Sequence, residues 1–432
     1  MRFCVLTFGC RANQADSCDV EQQLRANGGA PSAAEAADVV IVNTCTVTAA
    51  ADQAARTAIR RIARLNPGAR IVVTGCYATR NPSEVALLPG VSALVPNSAK
   101  AAILEFERAG TSWSDGARSV NSPVRQAAGS PVAFPMSPGD RGRTAYPLKV
   151  QTGCDEQCAY CIVPSTRGAS ASRPALEVVG DVRRAAGAGY KELWVSGVHL
   201  GSYGRDLSPA TSLVELLHAL DAAAAGSDVT FRLSSLEPMD CGDELVECLA
   251  ASRRFLPHVH LPLQHASDRM LEAMRRPYTR DRFDAAIDLL RRRLPDAALG
   301  TDLIAGFPGE TPRDFDEQAD HLRSSALTHV HVFPYSDRPG TAASRMAGKV
   351  TATEIRRRAT ALRAIADDLN RAFVGRQVGR ERDALTLHDG TVALTDNYIK
   401  VAIPRGRPRN ERVRVRIESV NPVRGKIVGG KQ

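Results

Sequence analysis

The chain reads as an α/β protein in three parts. These are an N-terminal parallel-sheet α/β domain (1–113), a central partial β/α barrel (144–369) and a small antiparallel β-barrel (370–432). Three observations predict this. In the first two parts short apolar runs alternate with helical stretches, the pattern of parallel strands joined by crossovers. Residues 114–143 are rich in Ser, Gly, Pro and Arg, lack periodicity and read as a linker. The tail shifts to short alternating runs broken by Gly, Asp-Asn or Pro, which suits a small closed sheet.

The elements follow in order. Apolar runs predict strands at 3–8, 39–42 and 71–73, with helices at 13–28 and 49–65, the second stopped by Pro67-Gly68. The barrel strands are expected at 148–151, 192–196, 230–234, 259–263, 298–304 and 329–333. Helices such as 177–188 and 282–293 lie between them. Thr351-Ala-Thr-Glu354 has the form of a capping box opening a basic helix to about residue 370. Tail strands are expected at 384–387, 391–395, 398–403 and 412–417.

With 44% apolar and 24% charged residues, composition is that of a soluble globular protein. No apolar run is long enough for a membrane span, and the first residues lack a secretory h-region. A reducing cytoplasmic setting is therefore expected, where the ten cysteines read as thiols or metal ligands. From Asn370 onward there are 14 Lys and Arg against 6 acids, a net of +8 out of +9 for the whole chain. Such a tail suits a polyanion, or is simply a solvated basic face.

The strongest signal is Gly153-Cys154-Asp155-Glu156-Gln157-Cys158-Ala159-Tyr160-Cys161. Three thiolates can hold three irons of a cubane cluster; ordinary electron-transfer clusters use four. The fourth iron would be open to an amino-carboxylate such as the methionine end of S-adenosylmethionine, whose sulfonium the cluster's electron would cleave. The alternative is a zinc site with a distant fourth ligand, but zinc motifs usually come as paired C-x-x-C knuckles. A second set is Cys10, Cys45 and Cys76, each one to three residues past an apolar strand. Parallel strands end at one sheet edge, so these three would converge, with Gly9 and Gly75 letting backbone come close to a bulky cluster. The alternative is buried structural thiols. Cys4, Cys18, Cys241 and Cys248 read as inert. His260 and His265 are expected to pack or orient substrate rather than bind metal.

The cysteine triplet followed by β/α units is the hallmark of the radical S-adenosylmethionine superfamily. The resemblance implies cofactor contacts at Tyr160, at Gly197 near the methionine amino group, at Ser234 and Glu237 near the ribose, and at Gly306 and Glu310 near the adenine. With the second triplet and the tail, the whole chain resembles the methylthiotransferase family: an N-terminal methylthiotransferase domain, a radical domain and a C-terminal TRAM domain. That resemblance implies two 4Fe-4S clusters (Cys10, Cys45, Cys76 and Cys154, Cys158, Cys161) and S-adenosyl-L-methionine. It also implies an electron donor such as flavodoxin or ferredoxin, and a sulfur source. Its branches modify isopentenyladenosine in tRNA, a ribosomal-protein aspartate, or N6-threonylcarbamoyladenosine in tRNA.

Thr7-Phe-Gly-Cys10-Arg-Ala-Asn13-Gln14, Gly197-Val-His-Leu-Gly-Ser-Tyr203-Gly, Arg232-Leu-Ser-Ser-Leu-Glu237-Pro and His331-Val-Phe-Pro-Tyr335-Ser-Asp-Arg338-Pro-Gly-Thr341 are most similar to the last branch. Leu263-Gln-His265-Ala-Ser is locally similar to the ribosomal-protein branch. The expected substrate is the adenosine beside the anticodon, in the stem-loop of tRNA. A non-catalytic, metal-containing RNA-binding protein is the competing class. Arg405, Arg407 and Arg409 in a loop, with Arg412, Arg414 and Arg416 alternating along a strand, are the expected RNA contacts. Tyr398 is placed either on a base or in the core.

Overall fold

The computed structural model describes residues 1–104 and 136–428, so most of the expected linker lies outside the described residues. Two compact units are present. The first takes in the described part of Met1–Met136 with Thr152–Gln157 and Cys161–Ala171; the second takes in Ser137–Gln151, Cys158–Tyr160 and the chain from Ser172 on. No helix among the described residues is long and apolar enough to cross a membrane.

In the first unit β1 (Arg2–Thr7), β2 (Ala30–Pro31), β3 (Val39–Thr44), β4 (Arg70–Gly75) and β5 (Val91–Val95) form one parallel sheet, ordered β2-β1-β3-β4-β5. Alternation along the strands feeds two cores. Val40, Val42, Ile71 and Val73 pack with Ala55, Ile59 and Ile62 of the helix Ala49–Leu65. Phe3, Val39, Ile41 and Val72 pack with Val20 and Leu24 of the helix Arg11–Ala26. Each such fully buried aliphatic side chain contributes roughly 1.5–3 kcal/mol. Thr48 caps Ala49–Leu65 by accepting the Ala51 N–H.

The second unit opens with β6 (Tyr146–Lys149), after which the chain forms a short pair, β7 (Gln151–Thr152) with β8 (Ala171–Ser172). Then come β9 (Glu192–Ser196), β10 (Thr230–Leu233), β11 (His258–His260), β12 (Ala298–Ala305) and β13 (His329–Pro334). They form two parallel three-stranded sheets, β10-β9-β6 and β11-β12-β13, joined by an isolated bridge between Phe231 and Phe255. This is the expected six-stranded partial barrel. β11 is shorter than the sequence suggests, because Pro262 has no N–H to continue the ladder.

Its concave face is identified by contacts. Trp194 on β9 meets His258 on β11, two strands away, with ring centroids 5.7 Å apart. Side chains separated by an intervening strand can meet only inside the curve, so Trp194, His258 and, two residues on, His260 line the lumen.

The long helix Ala352–Gly375 starts at Thr351, whose hydroxyl accepts the Glu354 N–H. The expected reciprocal half of the capping box is absent; the Glu354 carboxylate turns to Arg357 and Arg358 instead. The tail is a closed barrel of β14 (Glu381–Leu387), β15 (Val392–Thr395), β16 (Lys400–Ala402), β17 (Arg412–Val420) and β18 (Val423–Ile427). It packs at the N-terminal ends of the larger barrel's strands. Tyr398, held at φ 68°, lies over His258 at 4.0 Å and meets His329 at 5.4 Å and Trp194 at 5.9 Å edge-on. The fully buried Arg232 donates to the Thr395 and Asp396 carbonyls (2.7 and 2.8 Å). Tyr398 is thus a packing residue.

Candidate active site

The first unit places three thiols at one sheet edge. β1, β3 and β4 are parallel neighbours, so their C-terminal ends adjoin. Cys10 follows β1 as the cap of Arg11–Ala26, Cys45 follows β3, and Cys76 opens the helix Cys76–Arg80 after β4. Gly9 sits at φ 98°, and a Cβ there would stand 2.5 Å from Cys45 Sγ. Burial, and then the neighbouring Cys10 and Cys76, push the Cys45 thiol up to about 12. A buried thiol that resists ionising beside two others suits a cationic iron–sulfur centre, which takes up its negative charge as the proton leaves.

The surroundings are built to match. Asn13 Nδ2 donates to Phe8 O and Thr44 O, both at 2.8 Å, fastening the first two cysteine loops together. Asn97 Nδ2 donates to Cys76 Sγ at 3.5 Å. Behind them Asp16 pairs with both Lys100 and Arg167 at 2.9 Å, all three buried. Burial works against the Arg167 charge, but Asp16, Cys76 and Cys10 outweigh it and raise its pKa. Two cations against one acid leave positive charge beside the thiols.

The second triplet occupies the loop between β7 and the helix Val163–Arg167. Gly153 allows its tight start: at φ 72°, a Cβ would stand 1.8 Å from Ala169 O. The loop is pinned by Cys154 N–H to Gly168 O at 3.1 Å and by Ala159 N–H to Met274 O at 2.9 Å. Val163 N–H points at Cys161 Sγ from 3.4 Å. All three cysteines are half-buried.

The expected cofactor residues lie at strand C-termini, as the fold requires. Gly197 follows β9 and its N–H donates to Ser234 Oγ, just past β10, at 3.3 Å. Gln151, which sequence reasoning missed, steadies the same turn by accepting the Val198 and His199 N–H groups at 2.8 and 3.1 Å. Gly306 follows β12 at φ 79°. Glu310 is engaged by the protein itself. Its carboxylate accepts the Gly306 and Phe307 N–H groups and pairs with Arg358 at 2.8 Å. It shapes the turn from beneath, and its burial pushes its pKa up. His265 is fully buried, and burial lowers its pKa to about 3. Its Nδ1 accepts the Ser267 N–H, a packing role.

Arg276 is the residue that sequence reading missed most plainly. The helix Asp268–Ala273 ends with Arg275 in the left-handed region at φ 57°, and Arg276 N–H returns to Leu271 O. That turn swings the Arg276 side chain inward. Its guanidinium donates to Cys158 Sγ at 2.9 Å and Tyr160 Oη at 3.3 Å, and pairs with Glu237. Its Nε donates to Tyr278 Oη at 3.0 Å, and that hydroxyl donates to Pro262 O at 2.6 Å. A donor fixed in this way at a cysteine sulfur is the kind of partner that tunes an iron–sulfur cluster.

The family model described as Radical SAM superfamily matches residues 148–322, and the one described as Uncharacterized protein family UPF0004 matches residues 2–95. The chain is 34% identical to the threonylcarbamoyladenosine tRNA methylthiotransferase MtaB of Bacillus subtilis, covering 91% of this chain and 88% of that protein. It is 33% identical to MtaB of Aquifex aeolicus, over 93% and 96%. It is 32% identical to the tRNA-2-methylthio-N(6)-dimethylallyladenosine synthase of Frankia alni, over 94% and 87%. Among solved structures, the radical S-adenosylmethionine methyltransferase TsrM from Kitasatospora setae shares the fold, with a TM-score of 0.57 at 16% identity over 79% of this chain and 74% of that one. Matched in sequence along nine-tenths of its length and in architecture over most of it, the chain belongs to the methylthiotransferase family of radical S-adenosylmethionine enzymes, which work with S-adenosylmethionine and two 4Fe-4S clusters.

Proposed function

We propose that the protein inserts sulfur and a methyl group at carbon 2 of N6-threonylcarbamoyladenosine beside the anticodon of tRNA. The observation that carries the chemistry is the presence of two three-thiol sets in one chain, one at a sheet edge and one on the loop after β7. The substrate reading is supported by relatives bearing that name at 31–34% identity over 91–93% of the chain. When bound, S-adenosylmethionine supplies the carbon radical and the methyl group. The chain's own residues position it: Gly197 and Ser234 at neighbouring strand ends, Glu237 held by Arg276, and the Gly306 turn held by Glu310. Lys100 and Arg167 stabilise negative charge at Cys10, Cys45 and Cys76. A one-electron donor such as flavodoxin or ferredoxin and a sulfur source complete the reaction.

The test is nucleoside mass spectrometry after reaction with three tRNAs. Threonylcarbamoylated tRNA is expected to gain the methylthio group, and tRNA lacking the threonylcarbamoyl group to gain almost none. Equal activity on isopentenyladenosine tRNA would move the protein to the other tRNA branch.

The tRNA surface is proposed on the outer face of the small barrel, with a narrower set of arginines than the sequence suggests. Arg412 donates to Lys191 O, Asp228 O and Thr230 Oγ1, and Arg409 to Gly139 O and His388 O. Both fasten the barrel to its neighbour. Arg407 pairs with Glu411 at 2.8 Å. Arg405 stays exposed, as do Arg414 and Arg416, which share Glu381. Each phosphate contact adds roughly 0.7–0.9 to the slope of log affinity against log salt. Replacing Arg405, Arg414 and Arg416 by Ala is therefore expected to flatten that slope by about two to three units. Cleavage of S-adenosylmethionine without tRNA should be unaffected. An unchanged slope would place the tRNA elsewhere.

A further inference from the structure

The lumen of the partial barrel is layered. At its floor the rings of Trp194, His258, His329 and Tyr398 pack together, mostly edge to face. At its mouth stand Gly197, Ser234 and Gly306. Between them lies a polar layer that neither the cofactor nor the clusters account for. His260, Asp302 and His331 come from three adjacent strands and face the lumen, with Asp302 and His331 directly paired in register. Asp302 Oδ1 is 3.1 Å from His260 Nε2 and 3.1 Å from His331 Nδ1. The two imidazoles are stacked, 5.5 Å apart and 30° from parallel, and each presents a nitrogen to the same carboxylate oxygen. One ligand atom from each residue falls within 4.8 Å of the others.

From this geometry we infer a divalent transition-metal site formed by His260, Asp302 and His331. The charge argues for a cation. With neutral imidazoles the layer carries −1, concentrated on a carboxylate at its centre, so it repels anions. The donors argue for a transition metal: two imidazoles and one carboxylate suit Zn²⁺ or Fe²⁺, whereas Mg²⁺ and Ca²⁺ take oxygen ligands. The site is built on strands, and the backbone makes room for it. A Cβ on Gly300 would stand 2.7 Å from His260 Nδ1, so only glycine lets that ring lie where it does. The His260 and Asp302 side chains are 11% and 24% exposed, and that of His331 is 62% exposed. One side of the site is therefore open, and three protein ligands with an open side are the arrangement of metal sites that accept a further ligand. This differs from the sequence-based expectation of packing or substrate orientation for His260. Asp302 and His331 reach it only through the sheet.

The test uses cluster-loaded protein prepared without oxygen. It is incubated with Zn²⁺ and passed over a chelating resin, and zinc and iron are counted by elemental mass spectrometry. The wild type is expected to keep about one zinc per chain with its iron unchanged. His331→Gln and Asp302→Asn are each expected to lose that zinc, with a dissociation constant raised at least about tenfold, while retaining full iron. His331→Gln alters an exposed side chain, so folding does not confound it. Absence of retained zinc in the wild type would overturn the inference. So would equal zinc in all three proteins, which would place the ion on cysteines. So would a His331→Gln effect confined to the KM for tRNA, which would make the layer a direct substrate contact.

Discussion

Replacing Cys154, Cys158 and Cys161 together by alanine is expected to remove about half the iron and abolish cleavage of S-adenosylmethionine. Replacing Cys10, Cys45 and Cys76 is expected to remove a similar share of iron while 5′-deoxyadenosine still forms. The asymmetry follows from position. The first set lies in the loop that leads into the barrel whose strand ends hold Gly197, Ser234 and Gly306; the second lies at the edge of a separate sheet. Both variants should finish without methylthiolated nucleoside. Iron analysis and chromatography of the nucleoside products check this directly. Full iron in the second variant would mean that Cys10, Cys45 and Cys76 are structural thiols.

Arg276→Gln is expected to lower S-adenosylmethionine cleavage by about 10- to 100-fold, the usual consequence of losing a partner just outside a metal's ligands. Two contacts are lost together. The Cys158 sulfur loses a charged donor, which favours the more oxidised cluster and moves its midpoint potential to a more negative value. Glu237 loses the cation that orients it, so the KM for S-adenosylmethionine should rise. Arg276→Lys keeps the charge but not the planar fork that reaches Cys158, Tyr160 and Glu237 at once, and should recover little. Glutamine removes the charge but keeps a long polar side chain in the same space, so it leaves a smaller void than alanine would. An unchanged potential, measured by titration with electron paramagnetic resonance, would reduce Arg276 to packing.

The sequence makes some of this legible and hides the rest for physical reasons. Cys10, Cys45 and Cys76 can be brought together on paper because each ends an apolar run, and parallel strands end on one edge. The partial barrel is legible because its strands are apolar and its crossovers amphipathic. β18 is not, because Gly425 and Lys426 interrupt its alternation and Asn421-Pro422 reads as a turn that ends the sheet. Arg276 sits in Met274-Arg-Arg-Pro277, which reads as a solvated basic turn until Arg275 adopts its left-handed conformation. The alternation of Arg412, Arg414 and Arg416 is read correctly, yet Arg412 faces a neighbouring element that only the folded chain reveals. Asp302 and His331 are separated by 29 residues, and register alone makes them partners.

Tyr398 carries a last consequence. A ring from the tail stops the lower end of the chamber in which a carbon radical must survive until it meets its target. The small barrel is therefore also a bung. Cutting the chain before β14, or grafting another module in its place, would remove a wall, and water would reach the radical from below. Such a truncated enzyme should still split S-adenosylmethionine but waste the cleavage, releasing 5′-deoxyadenosine without modified nucleoside even when tRNA is supplied at saturating concentration.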